Sequence, residues 1–184
     1  MENLNKKMIG GALLILLSAN LFAEPEMSKP KSAYERFLSD QGTMITKDFY
    51  NMPSLASTYQ KVEAKVVKLT SGKGAQYFYS LSIKAKYGDK SAIIAKQDLI
   101  EISKALDTVI ERSKKETATE LEYRERYFET NDGFKIGYYQ KGTEQTFFAD
   151  LDDYQSEDTV FFDDFSSLKE AVNQAVAKIS SLGG

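Results

Sequence analysis

Hydrophobic and polar residues alternate with a period of two along several short segments of the chain. The clearest alternation lies within Tyr77–Lys86, where Tyr79, Leu81, Ile83 and Ala85 are separated by serine and lysine. This period predicts a strand with one buried face. By similar patterns, further strands are predicted over residues 43–50, 61–69, 91–95, 121–128, 134–140, 145–149 and 159–162.

Turn-forming residues separate the predicted strands. Ser71–Gly74 and Asn131–Gly133 contain glycines, which tolerate the positive φ angles of tight hairpin turns. Pro53–Thr58 is predicted to be a loop, because its proline and serines interrupt regular structure.

Apolar residues three and four positions apart predict two long amphipathic helices. The first helix is predicted over Gln97–Lys115 and the second over Asp164–Leu182, and a short helix is predicted over Ala33–Leu38. The apolar positions of the first are Leu99, Ile102, Leu106, Val109 and Ile110. Asp98 could cap this helix or favour its positive end.

The chain therefore consists of four strands and a helix, followed by four strands and a helix. The two long helices align at an offset of 66, which matches Asp98 with Asp164. Internal duplication is one explanation, and a shared phase of two amphipathic helices is the other. The predicted fold class is α+β, with mostly antiparallel strands in two β-β-β-β-α halves and the two helices packed on sheet. A single domain is predicted over residues 33–184, with halves at 43–115 and 119–182.

This order of elements, over about residues 43–182, resembles the Whirly-like single-stranded-DNA-binding proteins. Whirly proteins carry a Lys-Gly-Lys-Ala-Ala-Leu motif. The nearest segment here, Gly-Lys-Gly-Ala-Gln at residues 72–76, lacks the second lysine and lies in a predicted turn. The resemblance concerns topology alone, so it implies the arrangement of elements and transfers no DNA-binding residue.

Residues 1–23 have the pattern of a secretory signal peptide. Lys6 and Lys7 supply the positive region, Met8–Leu17 is a short apolar stretch, and Ala23 is a small residue at a cleavage position. A membrane anchor is the alternative, but the apolar run is shorter than the roughly 20 residues that a span needs.

Two of the three prolines fall in residues 24–32, which are predicted to be a linker. Cleavage near Ala23 would release the mature chain, without a stable membrane span, into the periplasm or the medium. The style of the signal peptide indicates a bacterial protein.

Composition narrows the chemistry, because the chain has no cysteine, histidine or tryptophan. Disulfides, thiolate nucleophiles, histidine general bases and Cys- or His-ligated metals are therefore excluded. Catalysis by two carboxylates, as in glycosidases, is not excluded by the composition, but the sequence singles out no particular pair of acidic residues. The chain is therefore expected not to be an enzyme, and no catalytic residue, metal site or cofactor is predicted. The net charge of −3 is unlike that of a basic nucleic-acid-binding domain, so nucleic acid is not the expected partner.

One candidate binding surface follows from the alternation around residue 125. If Leu121, Tyr123 and Tyr127 face the core, the two arginines and Phe128 that alternate with them face outwards, and part of the strand after the Asn131–Gly133 turn shares that outer face. The predicted binding residues are Arg124, Arg126, Phe128, Lys135 and Tyr139. Rings with interleaved cations suit single-stranded nucleic acid or an anionic glycan. The alternative is a solvated face on which Glu122, Glu125 or Glu129 neutralises the arginines.

Acidic residues cluster over residues 150–164. Their density would suit Ca²⁺, but the spacing of a calcium-binding EF-hand loop fails, since Tyr154 stands at its fifth position and no glycine follows. A solvated loop, continued by Asp163 and Asp164 at the start of a helix, is the favoured interpretation.

Three aromatic doublets, at residues 138–139, 147–148 and 161–162, must place one ring on each face of their strands. Exposed rings would mark a partner surface, whereas a sheet covered on both faces would bury them. The expected function is an exported, non-enzymatic binding or structural module of the bacterial cell envelope. Its partner would be an envelope protein, a glycan or a second copy in a homodimer. A single-stranded nucleic-acid binder and a carboxylate-based hydrolase are the alternatives.

Overall fold

The computed structural model describes residues 31–39, 42–86, 88–116, 122–151 and 158–184, so the predicted signal peptide and most of the predicted linker lie outside the described residues. The helices are α1 (Ala33–Leu38), α2 (Lys96–Lys115) and α3 (Ser166–Ser181). The strands are β1 (Thr46–Ala56), β2 (Lys61–Ser71), β3 (Gly74–Ala85), β4 (Gly88–Ala95), β5 (Arg124–Glu129), β6 (Lys135–Lys141), β7 (Glu144–Asp150) and β8 (Thr159–Phe162). Strands β1–β4 and β5–β8 form two antiparallel sheets in sequential order. This arrangement confirms the predicted α+β class.

Strand β1 runs through Pro53, so the predicted loop at Pro53–Thr58 is wrong over its first four residues. Proline has no N–H to give to a neighbouring strand, but β1 lies at the edge of its sheet and needs only one neighbour. The pairing register also shifts between Met52 and Leu55, which absorbs the proline in a bulge.

The inner face of the first sheet carries the predicted alternation. Tyr79, Leu81 and Ile83 of β3 are buried, and they oppose Val66, Ala64 and further core residues on β2. Burial of every second side chain on each strand therefore fixes the register of this sheet.

The outer face of the first sheet is partly covered by α1. Ser32 and Glu35 form a reciprocal capping box at the start of this helix. The ring of Tyr34 meets Phe78 edge-on at a centroid distance of 5.3 Å, and Phe37 packs on the same cluster. A six-residue helix is thus held in place by its cap and by two aromatic side chains.

Helices α2 and α3 pack against each other and against the inner faces of both sheets, in one shared core. The 66-residue offset matches buried positions on the two helices, as Ile102 with Leu168 and Leu106 with Val172 show. Asp98 does not cap α2, because the N-cap is Ala95 and Asp98 lies buried in the first turn.

The second sheet closes tightly around Gly137, which faces Tyr127 across β5 and β6. A Cβ atom at residue 137 would lie 2.2 Å from the carbonyl oxygen of Arg126 and 2.7 Å from Cβ of Tyr127. Only glycine permits this approach of the two strands.

An ion pair joins the two sheets. Lys90 Nζ on β4 lies 3.1 Å from Oδ1 of Asp158, next to the start of β8, and the Asp158 side chain is 1% exposed. The backbone N–H of Thr58 also donates to the carbonyl of Phe161 at 2.8 Å. These contacts fix the end of the second sheet against the first.

Candidate functional site

Aromatic side chains line the outer face of the second sheet, the face turned away from α2 and α3. Residues opposite each other across neighbouring strands share a face, and the register places Tyr127, Gly137, Phe148 and Phe161 in one row. Tyr139 lies in the next row, opposite Glu125 and Thr146. We call the set formed by Tyr59, Tyr123, Tyr127, Tyr139, Phe148 and Phe161 the aromatic face.

Five of the six rings of the aromatic face, all except Tyr127, are in contact with one another. Tyr139 stacks on Phe148 at a centroid distance of 6.2 Å and lies 6.0 Å from Tyr123 at an angle of 30°. Phe161 meets Tyr139 and Tyr59 edge-on at 6.5 Å and 6.1 Å. Such offset and edge-on pairs stabilise each other, so the rings form a connected surface.

Several of these rings are open to solvent. Tyr123 is 57% exposed, Tyr127 is 55% exposed and Tyr59 is 81% exposed. Phe148, in contrast, is buried beneath its aromatic neighbours and forms the base of the aromatic face. An exposed cluster of large aromatic side chains is typical of an interaction surface.

Charged groups on the aromatic face are few and mixed in sign. Glu125 accepts a hydrogen bond from the Tyr123 hydroxyl at 3.0 Å. Lys135 lies 3.8 Å from Glu129 and 5.9 Å from the centre of the Tyr127 ring. By the register, the carboxylates of Glu125, Glu129, Glu144 and Asp150 share this face with Lys135 and Lys141, so the face has no excess of positive charge.

The structure does not bring the five predicted binding residues together on one face. Lys135 and Tyr139 lie on the outer face, but Arg124, Arg126 and Phe128 lie on the inner face, opposite the buried side chains of β6. The expected phase of β5 is thus wrong, and Tyr123 and Tyr127 are exposed. Whether any of the five binds a ligand stays a prediction.

Two contacts hold the strand in this phase. Phe128 packs against the shared core, and both arginines are paired with Glu116, the C-cap residue of α2. Its Oε1 lies 3.7 Å from Nη1 of Arg124 and also accepts a hydrogen bond from Nε of Arg126. The carboxylate is largely buried, so it holds both arginines towards the helix. The arginines are thus neutralised by Glu116, and not by Glu122, Glu125 or Glu129 as the alternative interpretation of the sequence predicts.

These contacts determine the ionisation of the Glu116 cluster, which consists of Glu116, Arg124, Arg126 and Tyr138. Burial alone would raise the pKa of Glu116, but the hydroxyl of Tyr138 and the two arginines lower it below the ordinary value of 4.5. Burial, followed by the Glu116 carboxylate, raises the pKa of Tyr138 to about 12. The cluster is therefore an ion pair with a neutral tyrosine at neutral pH.

Another group of carboxylates lies where α1, α2 and the β5–β6 turn meet. Burial raises the pKa of Asp98, and the carboxylates of Asp132 and Glu101 raise it further, while Arg36 opposes them. Oδ2 of Asp132 accepts a hydrogen bond from the backbone N–H of Ala33 at 3.0 Å. The Asp132 carboxylate therefore binds the start of α1.

Within the described part of the acidic segment, the carboxylates have separate partners. Asp150 accepts from Thr159 at 2.6 Å, Asp158 pairs with Lys90, and Asp163 accepts from Thr58. Asp164 accepts from the backbone N–H of Ser166 at the start of α3. The described residues contain no group of three or more acids placed to hold a metal ion, and residues 152–157 lie outside them.

Sequence reasoning missed Tyr59, Tyr123, Tyr127 and Phe161 as members of one surface. The aromatic doublets indicated that some rings must lie on the outer face, because adjacent residues of a strand point to opposite faces. In the structure, Phe162 is buried and Phe161 lies on the outer face. Nothing local could have located Tyr59, because it reaches the second sheet from the β1–β2 turn of the first.

Comparisons with protein-family models, with curated proteins and with solved structures found no match to this chain. The likeness to Whirly-like proteins therefore stays a resemblance in the order of elements. Over the described ranges, no helix combines the length and the apolar character needed to cross a membrane.

Proposed function

We propose that this protein is an exported, non-enzymatic binding module of the bacterial cell envelope, and that the aromatic face is its recognition surface. The observation that carries this proposal is the set of contacting rings around Tyr139, in which Tyr123 is more than half exposed and beside which Tyr127 is equally open. A contiguous exposed patch of large apolar side chains marks an interaction site, which favours binding over a purely structural role. The signal-peptide pattern of residues 1–23 supports export.

Among the expected partners, an uncharged glycan fits this surface best. The electron-rich faces of aromatic rings attract the C–H groups of a sugar ring, and an extended glycan can contact several rings in turn. The carboxylates of Glu125, Glu129 and Asp150 repel phosphates, so the surface disfavours single-stranded nucleic acid. The same carboxylates disfavour an anionic glycan.

Binding is tested by titrating the mature chain with chitotetraose and cellotetraose, two uncharged oligosaccharides, in isothermal calorimetry. We expect Tyr123→Ala to weaken binding about two- to tenfold, as the loss of one aromatic contact of about 0.5–1.5 kcal/mol implies. Phe49→Ala is the matched control, because Phe49 is a similarly exposed ring (60%) on the outer face of the other sheet.

Two results would contradict the glycan proposal. One is the absence of binding to both oligosaccharides, and the other is an equal effect of Tyr123→Ala and Phe49→Ala. Tighter binding of a single-stranded oligothymidine, lost in Tyr123→Ala, would instead favour the nucleic-acid alternative.

Export is tested separately by producing the chain with its native N-terminus in bacteria, fractionating the cells and measuring the intact mass. A mass that begins at Glu24, found in the periplasm or the medium, is expected. An uncleaved chain in the soluble cytoplasm would contradict export and leave the binding proposal to be judged on its own.

A further inference from the structure

A groove of about 670 Å³ lies between α2 and the edge strand β5, on the opposite side of β5 from the aromatic face. Ala105, Thr108 and Val109 of α2 form one wall, and Phe128 and Tyr138 of the second sheet form the other. The groove is thus lined mainly by apolar atoms, with charged groups around them.

The groove reaches the free edge of the second sheet. Among the described strands, β5 is paired on one side only, with β6. Alternate residues of such a strand direct their N–H and C=O groups away from the partner strand. Glu125 and Tyr127 also line the groove, although their side chains lie on the outer face, so the groove extends around the edge of β5.

The length of the groove suits a short extended segment. Its α2 wall runs from Glu101 to Arg112, which is about 16 Å along a helix. An extended chain advances about 3.3 Å per residue, so about five residues would fill this length.

Two cations on the α2 wall, Lys104 and Arg112, form no salt bridge with a carboxylate of the described residues, although the charge of Arg112 acts on its neighbour Glu111. They are about 12 Å apart along the helix. In an extended chain, residues four apart lie on the same side at about 13 Å, so two carboxylates with that spacing would reach both cations. Glu101 and Glu125 also line the groove, and so does Arg126, so the cations of the lining outnumber its carboxylates by three to two.

The equivalent junction in the first half of the chain is closed. There the hydroxyl of Ser167 on α3 donates to the carbonyl of Ala56 on β1 at 3.3 Å, and Lys178 lies 5.2 Å from the centre of the Tyr50 ring. Strand β1 has 11 residues, whereas β5 has 6. Side-chain contacts therefore bridge α3 and β1, whereas the described residues of α2 and β5 border an open groove.

We propose that this groove binds an extended acidic peptide, which adds to the edge of β5 as an antiparallel strand and places an apolar side chain between α2 and the sheet. Carboxylates two residues before and two residues after that apolar residue pair with Lys104 and Arg112. The ligand is a segment of a partner protein, and the site adjoins the glycan surface proposed above at Glu125 and Tyr127, on the edge of β5.

The test uses the mature chain and a fluorescein-labelled peptide in which valine is flanked, two residues away on each side, by aspartate. The control peptide has lysine in place of both aspartates. We expect the acidic peptide to bind more tightly, and we expect Arg112→Glu to weaken it about tenfold, since the change turns an attraction into a repulsion. Lys114→Glu is the matched control, because it makes the same charge change on α2 at a residue that does not line the groove.

Strand addition is tested by amide hydrogen exchange. Binding of the acidic peptide should slow exchange of β5 amides and leave those of the β1 edge unchanged. Thr108→Trp, which fills the groove from an exposed helix position, should abolish binding without unfolding the chain.

Equal affinity for the two peptides, or unchanged exchange along β5, would overturn the proposal. Binding of oleate that Thr108→Trp abolishes, with no binding of either peptide, would also overturn it and assign the groove to an anionic amphiphile.

Discussion

Gly137 provides the sharpest test of how the second sheet is built. A methyl group at this position would lie 2.2 Å from the carbonyl oxygen of Arg126, 2.7 Å from Cβ of Tyr127 and 2.8 Å from its Cα. These atoms are main chain or directly attached to it, so rotation of a side chain cannot relieve the overlap. Strand β5 would have to move away from β6, and overpacking of this kind costs about 3 kcal/mol.

Gly137→Ala should therefore lower the free energy of unfolding by about 3 kcal/mol and the Tm by about 6–12 °C. Urea unfolding at pH 7, followed by far-UV circular dichroism and tyrosine fluorescence, measures the first quantity, since the chain has 11 tyrosines and no tryptophan. Calorimetry measures the second.

Gly72→Ala is the matched control, because a Cβ at residue 72 would meet nothing within 4 Å, and its φ lies outside the left-handed region. Its effect should stay within about 0.5 kcal/mol. If Gly137→Ala were no more destabilising than Gly72→Ala, β5 would be free to move, and the tight contact at Tyr127 would not constrain the sheet.

Two further predictions concern buried charge. Lys90→Met should lower the free energy of unfolding by about 3 kcal/mol, because it leaves the Asp158 carboxylate, which is 1% exposed, without its counter-ion. Asp158→Asn should lower it distinctly less, because the Lys90 side chain is 24% exposed and reaches water. Urea unfolding of both variants compares them, and the reverse order would show that Asp158 is not held by this pair. Because the pKa of Glu116 is lowered on folding, its contribution to stability is complete above the ordinary value of 4.5 and is lost as the pH falls through the lowered value. Glu116→Gln should thus be less stable than the native chain at pH 7, and the difference should shrink in acid; a constant difference from pH 7 to about pH 3 would argue against a lowered pKa.

The regular elements were largely predictable, because their periodicity is local. Alternation in Tyr77–Lys86 and the three- and four-residue spacing in Gln97–Lys115 correspond to β3 and α2, with ends shifted by a few residues. In each case, burying one face of the element is enough to determine its type, and neighbouring residues carry the whole signal. The α+β class follows from the order of these elements.

The buried face of strand β5 could not be predicted from the residues of the strand itself. In Arg124–Glu129, both alternating sets contain an aromatic ring and charged side chains, so either face could be buried. The choice depends on distant partners: Phe128 packs against the shared core, and Glu116, the C-cap residue of α2, pairs with Arg124 and Arg126 where α2 packs on the sheet.

The local sequence was likewise insufficient to place Pro53 within a strand. Proline ends a strand unless that strand lies at an edge, and edge position is a property of the assembled sheet. The aromatic face depends equally on assembly, because Tyr59 meets Phe161 across the two sheets.

The sequence by itself thus determined most of the helical and strand segments, apart from the end of β1, together with the α+β class and the absence of histidine and cysteine chemistry. Only the tertiary structure decided which side of β5 faces solvent, and with it which rings form the aromatic face and where the groove opens. The physical reason is that periodicity specifies one buried face per element, whereas the identity of that face depends on partners that are distant along the chain.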